Sequence, residues 1–188
     1  MKIIQIKSMP EPKIIKELYS LNQDNVPALG SLSTETEFEE LIKLSDTSMY
    51  IFSDNEIIGF LVCFRERSKY HSPNYIFFNN NESKFMYVDR IAIKQNNINK
   101  GLGSLLYNKL YKLAALKQLP ICCEVNTIPV NQISLNFLYK NNFNTSKNLC
   151  NSYVSKNLIF GHKIRSSYLL VDTESKHIKY TYNISIVI

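Results

Sequence analysis

A chain of 188 residues is long enough for one domain with a real core and short for two, and 45% hydrophobic with 20% charged residues is the balance of an ordered globular protein, which excludes general disorder. No apolar run is long enough to cross a bilayer, and Met1–Lys7 is too short and too alternating for a signal peptide, so a cytoplasmic location is expected. The net charge of +6 would allow a polyanionic ligand, but Lys and Arg are scattered rather than clustered, so neither nucleic acid nor a membrane is expected as a partner.

Elements follow one another in a mixed α/β order without repeats or an obvious linker. Residues 2–7 read as a strand, and a helix follows Pro12 with Ile14, Ile15, Leu18 and Leu21 at helical spacing. The stretch Asn25–Gly30 breaks it. Thr34 then caps a second helix, with Glu37 completing a capping box and Phe38, Leu41, Ile42 and Leu44 forming the buried face. Strands at 49–52 and 57–65 are joined by the tight turn Ser53-Asp54-Asn55-Glu56. The Asn-rich and aromatic segment Ser68–Ser83 reads as a loop of the kind that carries specificity on a rigid sheet.

Phe85–Ile93 is the next strand, and seven residues separate it from Gly101-Leu102-Gly103. The helix opened by those glycines is expected to bury Leu102, Leu105, Leu106, Leu110, Leu113 and Leu116 and to stop before Pro120. Ile121–Asn126 makes another strand, and Asn131–Asn141 a helix with Ile133, Leu135, Phe137 and Leu138 as its apolar residues and Asn142 in a left-handed conformation at its end. Residues 143–188 hold further β-type runs, notably Ser167–Val171 and Ile178–Ile188. Cys122 and Cys123 point to opposite faces of one strand and, with Cys63 and Cys150, make a poor disulfide framework, so reduced thiols are expected. His71, His162 and His177 lack metal-ligand spacing, and no metal is expected.

A strand running into Gly-x-Gly at a helix start is a place where phosphates bind, because the first N–H groups of a helix are unpaired and glycine lets an anion approach them. The alternative is a tight strand-to-helix turn with no ligand. The loop lacks the third glycine of a dinucleotide fingerprint, and Lys100 precedes rather than follows the glycines as a P-loop would require.

Strand, seven residues, Gly-x-Gly and helix, followed by a strand, Asn131-x-x-Ser134 and Asn142-Phe143, resemble the GNAT acyltransferases from about Phe85 to Phe143. The pieces Leu21-Asn22, Val26-Pro27-Ala28, Ser72-Pro73-Asn74-Tyr75, Tyr87–Ile91 and Cys123-Glu124-Val125-Asn126 look like a poorly characterised branch of that family. The resemblance implies one α/β domain over residues 1–188, with a central mixed, mainly antiparallel twisted sheet flanked by helices and a longer β segment at 143–188. It implies an N-acetyltransferase that moves acetyl from acetyl-coenzyme A to a primary amine of a small molecule or peptide, by direct attack in a ternary complex.

By the same resemblance, the backbone of Ile91, Ala92 and Ile93 would pair with the pantetheine arm. Ile98, Asn99, Lys100, Gly101, Leu102, Gly103 and Ser104 would hold the pyrophosphate, and Asn131, Ser134 and Phe137 would contact coenzyme A from the next helix. Asn22, Tyr70, Ser72, Asn74 and Tyr75 would form the acceptor wall, or else make ordinary surface hydrogen bonds. Three departures stand out. Ile98 replaces the usual Arg or Gln of the loop, Asn142 replaces a Gly, and Leu138 stands where many members place a general-acid tyrosine.

An alkyl amine with an unperturbed pKa around 10 must lose a proton before it attacks, so a carboxylate base is needed. Glu124 is the first choice, matching a glutamate with that role in ribosomal-protein acetyltransferases; otherwise it is solvated or paired with Arg90. Asp89 is the second, unless it only holds Arg90. Tyr139 could protonate the leaving thiolate only from a rotated helix, and otherwise packs against the adenine side or the sheet. An acyl-coenzyme A-binding regulatory protein is the alternative function, and a homodimer through the β-rich Tyr180–Ile188 is a further expectation.

Overall fold

The computed structural model describes residues 1–125 and 130–140 together with the backbone of 126, 144–149 and 158–163. The expectations placed on Asn142, Phe143, Cys150, Ser167–Val171, His177 and Ile178–Ile188, including the dimer strand, lie outside the described residues.

One seven-stranded sheet organises these residues. Its strands are β1 (Lys2–Ile6), β2 (Thr47–Ser53), β3 (Glu56–Arg65), β4 (Met86–Ile93), β5 (Ile121–Asn126), β6 (Asn144–Leu149) and β7 (Leu158–Lys163), in the order β1-β2-β3-β4-β5-β7-β6. Every neighbouring pair is antiparallel except β4 and β5. The β2–β3 hairpin turns through Asp54 and Asn55 with φ of 50° and 63°, a doubly left-handed turn whose twist matches the strands it joins.

Helices α1 (Pro12–Gln23), α2 (Glu35–Leu44) and α3 (Pro73–Asn81) pack with one set of strand residues, among them Phe60, Phe64 and Tyr87. Helices α4 (Leu102–Lys117) and α5 (Gln132–Lys140) pack with the alternate set, including Leu61, Val88 and Ile91. Period-2 alternation therefore sends the strands' apolar side chains to both faces, and each face has its own helices. Helix α2 begins as its sequence requires, with Thr34 Oγ1 accepting from the Glu37 N–H at 3.2 Å. Glu37 in return accepts from the Ser33 N–H at 2.6 Å, one residue before the position a regular capping box would use.

Two expectations are corrected. The segment Ser68–Ser83 is not a loop throughout, because α3 occupies its second half. Pro73 stands at the first helical position, and Tyr75 and Phe78, one turn apart, are buried against Phe85 and Tyr87. Leu116 is 82% exposed rather than buried. It stands about three turns after the half-buried Leu105, on the margin of the apolar stripe.

Strand β4 carries an irregularity that matters for the site. Val62 of β3 faces Arg90 while the next residue, Cys63, faces Val88, so Asp89 is an extra residue in the ladder. Such a bulge breaks the alternation and lets adjacent side chains meet on one side.

Candidate functional site

A groove of about 360 Å³ opens where β4 ends and α4 begins, within the size range of small-molecule sites. One wall is Ile93 with the loop residues Asn97, Ile98, Asn99, Gly101, Leu102, Gly103 and Ser104. Gly101 is the residue before the first turn of α4 and has φ of 78°, a left-handed conformation that glycine adopts without strain. The opposite wall is a stripe of α5: Ile133, Asn136, Phe137 and Lys140. Lys140 is the single formally charged side chain among these lining residues. A helix start facing a cation across a groove suits an anionic ligand with an apolar portion.

Several residues expected to hold the coenzyme are not among those lining this groove. Ile91 and Ala92 are buried in β4, and Lys100 is exposed beside the groove without lining it. Asn131 accepts from the Ser134 N–H at 3.1 Å and so caps α5, while Ser134 is fully buried. Asn97, Ile133, Asn136 and Lys140 are not marked by the sequence as site residues. The 3.6-residue spacing of 133, 136–137 and 140 marks them as one helix face, but nothing local says that this face looks at the glycine loop.

Beside the groove, β4 and β5 part. Their parallel pairing covers only Met86–Ile121 and Tyr87–Cys122, and beyond it, among the described residues, β5 is paired with β7 alone. From Val88 onward β4 therefore has β3 on one side and, among the described residues, no strand on the other. Glu124 lies on β5 just past the point of divergence. It is completely buried, and its Oε1 accepts a 2.7 Å hydrogen bond from the Tyr87 hydroxyl at the apex. Its Oε2 is buried with no hydrogen-bond partner among the described residues. Burial pushes the Glu124 carboxyl well above the ordinary carboxylate range, with nearby Asp89 adding to the rise and the Tyr87 bond opposing it. Burial, followed by the charges of Glu124 and Asp89, likewise pushes the Tyr87 hydroxyl up and keeps it a donor. Tyr87 was missed as a site residue because only the fold brings it to a partner 37 positions away.

The second carboxylate is differently placed. Asp89 Oδ2 accepts from Arg90 Nε at 2.7 Å and Oδ1 from the Tyr70 hydroxyl at 2.7 Å, so both oxygens are engaged. Arg90 Nη1 donates to Asn22 Oδ1 at 2.8 Å, which ties α1 to the β4 bulge. Arg90 thus pairs with Asp89 and Asn22 and not with Glu124. The expected acceptor-wall residues separate accordingly. Asn22 is fully buried, Tyr70 is stacked on Phe64 at 4.1 Å, and Tyr75 is buried with its hydroxyl on the Arg65 carbonyl at 2.8 Å. Asn74 is buried in α3, and Ser72 precedes that helix without a side-chain capping bond. Tyr139 is 52% exposed, whereas Leu138 packs in the core.

Among the described residues no cluster of three His, Cys, Asp or Glu side chains could hold a metal ion, and no helix is long and apolar enough to cross a membrane. Cys63, Cys122 and Cys123 are buried and not disulfide-bonded.

A family model described as the acetyltransferase (GNAT) family matches residues 15–143. Among solved structures, smu.2055 from Streptococcus mutans UA159 superposes with a TM-score of 0.68 at 12% identity, over 87% of this chain and 99% of that one. Arabidopsis thaliana Naa50, solved with the bisubstrate analogue CoA-Ac-MVNAL, has a TM-score of 0.63 at 15% identity, over 87% and 99%. The ribosomal-protein-S18-alanine N-acetyltransferase of Escherichia coli has 0.61 at 13% identity, over 91% and 100%. At such identities the likeness is one of fold. No curated protein matches the sequence significantly.

Proposed function

The chain belongs to the GNAT acetyltransferase family, and from that premise we propose that it transfers acetyl from acetyl-coenzyme A to a primary amine of a small molecule or peptide, by direct attack in a ternary complex. The observation that carries this reading is the early parting of β4 and β5 beside the glycine-lined groove. The open edge of β4 at Ile91–Ile93 offers backbone partners to the amides of a pantetheine arm. The N–H groups at the start of α4 receive the pyrophosphate, and the absence of a charge at Ile98 leaves that task to the backbone.

Acetyl-coenzyme A supplies an activated thioester, and the residues of this chain handle the amine's proton. Glu124 is the base in this reading. Its Oε2 is buried next to the divergence with no hydrogen-bond partner among the described residues, while Tyr87 holds Oε1 and fixes the carboxyl plane. Asp89, with both oxygens occupied, acts as a positioning residue that locks Arg90, Tyr70 and Asn22. Those residues, with Ser72, Asn74 and Tyr75 beside them, make the rigid backing of the acceptor side. Tyr139 takes no part, because its side chain is on the exposed face of α5.

The test is an acceptor screen that follows coenzyme A release over amines and peptide N-termini, with mass analysis of the products. Acetylation of one acceptor at the amine is the expected result. An acyl-coenzyme A-binding regulatory protein is the second reading, favoured by Leu138 in the core where a tyrosine donor would stand. Binding without transfer across the whole panel selects it. Absence of any melting shift with millimolar acetyl-coenzyme A rejects both readings.

A further inference from the structure

The α5 wall of the groove changes character along its length. Ile133 and Lys140 are seven residues apart, about 10 Å along a helix, and the wall runs from apolar Ile133 past Asn136 and Phe137 to the ammonium group of Lys140. Ile133 is 56% exposed, and the Phe137 ring is held against Tyr107 at a centroid distance of 5.1 Å. Among the described residues no acidic side chain lines the groove, and the glycine-loop wall has no charged one. An anion seated on the first N–H groups of α4 already has backbone partners, so the cation on the facing wall is available to a second anionic centre.

Coenzyme A has such a centre. One ribose away from its pyrophosphate it carries a 3′-phosphomonoester, close to doubly charged at neutral pH, and a flat base adjoins that ribose. We infer that Lys140 is a specificity residue that takes the 3′-phosphate of the coenzyme while Ile133 and Phe137 cover its base, so that the protein selects coenzyme A over 3′-dephospho-coenzyme A. The inference rests on the acetyl-coenzyme A reading of the same groove. It assigns Lys140 to ligand selection and gives it no part in the proton transfer.

Calorimetric titration of the full chain with coenzyme A and with 3′-dephospho-coenzyme A tests it at low salt, with Lys140→Ala and Lys140→Arg alongside. Wild type should bind coenzyme A about tenfold more tightly than the dephospho form, a charge-assisted contact's worth, with the ratio shrinking as salt is added. Lys140→Ala should lose that factor for coenzyme A and bind the dephospho form as wild type does, which also shows that the variant is folded. Lys140→Arg should keep most of the preference. Equal affinities of wild type for the two ligands, or a Lys140→Ala loss of the same size for both, overturns the assignment and leaves the acetyl-coenzyme A reading standing. Failure of wild type to bind either ligand overturns both.

Discussion

Glu124 is fully buried, with one oxygen held by Tyr87 and the other without a hydrogen-bond partner among the described residues, and this arrangement has measurable consequences. As the base it must be ionised to act, and burial has moved its proton affinity upward, so the rate should climb with pH above the ordinary carboxylate range. Glu124→Gln should lower turnover by about 100-fold or more while leaving acetyl-coenzyme A affinity nearly unchanged. Turnover within a few fold of wild type would remove Glu124 from the role. Tyr87→Phe removes the bond that favours the charged carboxylate, so the rising limb of the pH profile should move to higher pH, a shift that a packing defect alone would not produce. Stability should mirror this. A carboxyl whose folded pKa is raised stabilises the fold fully below the ordinary carboxylate range, and that contribution is lost as pH rises through the raised value. Glu124→Gln should therefore melt higher than wild type at alkaline pH and much like it under acid conditions.

Individual elements were legible to the degree that their signals are local. The capping box of α2, the left-handed turn of the β2–β3 hairpin and the glycine before α4 all depend on residues within a few positions, and each is where the sequence placed it. Helix α3 reads as loop in the sequence because four of its nine residues are Asn, which favours turns, while Tyr75 and Phe78 supply too short an apolar stripe to show a helical period. Gly101 gives the element-scale prediction. A β-carbon there would meet no atom within 4 Å, so Gly101→Ala costs only what a left-handed L-residue costs, about 1–2 kcal/mol. Urea unfolding measures that loss. Calorimetry should show weaker acetyl-coenzyme A binding as the first N–H groups of α4 are turned, and unchanged affinity would mean that the loop does not hold the pyrophosphate.

Across the whole molecule, the buried residues Asp89, Arg90 and Asn22, with the half-buried Tyr70, join α1, the approach to α3 and the β4 bulge. Removing one member leaves its partner charged in the interior. Arg90→Met should therefore cost about 3–5 kcal/mol in urea unfolding, whereas breaking an exposed pair such as Lys43–Glu40 should change stability far less. A loss for Arg90→Met as small as that of the exposed pair would show that water reaches Asp89. The ion pair between Asp89 and Arg90 was legible as an alternative in the sequence, since the two are adjacent, yet neighbours in a regular strand point apart. The bulge that lets them meet arises from pairing with β3 and has no signature in β4 itself. The same holds for the site as a whole. By itself the sequence determined the order of elements, the buried faces of the strands and the glycine loop, because these follow from period, capping and backbone freedom over short spans. Only the tertiary structure decided that β4 and β5 part after two pairs, that Tyr87 meets Glu124, and that Lys140 faces the loop. Each depends on where distant segments come to rest, and the packing of the two helix layers on the sheet sets that, not the residues nearby.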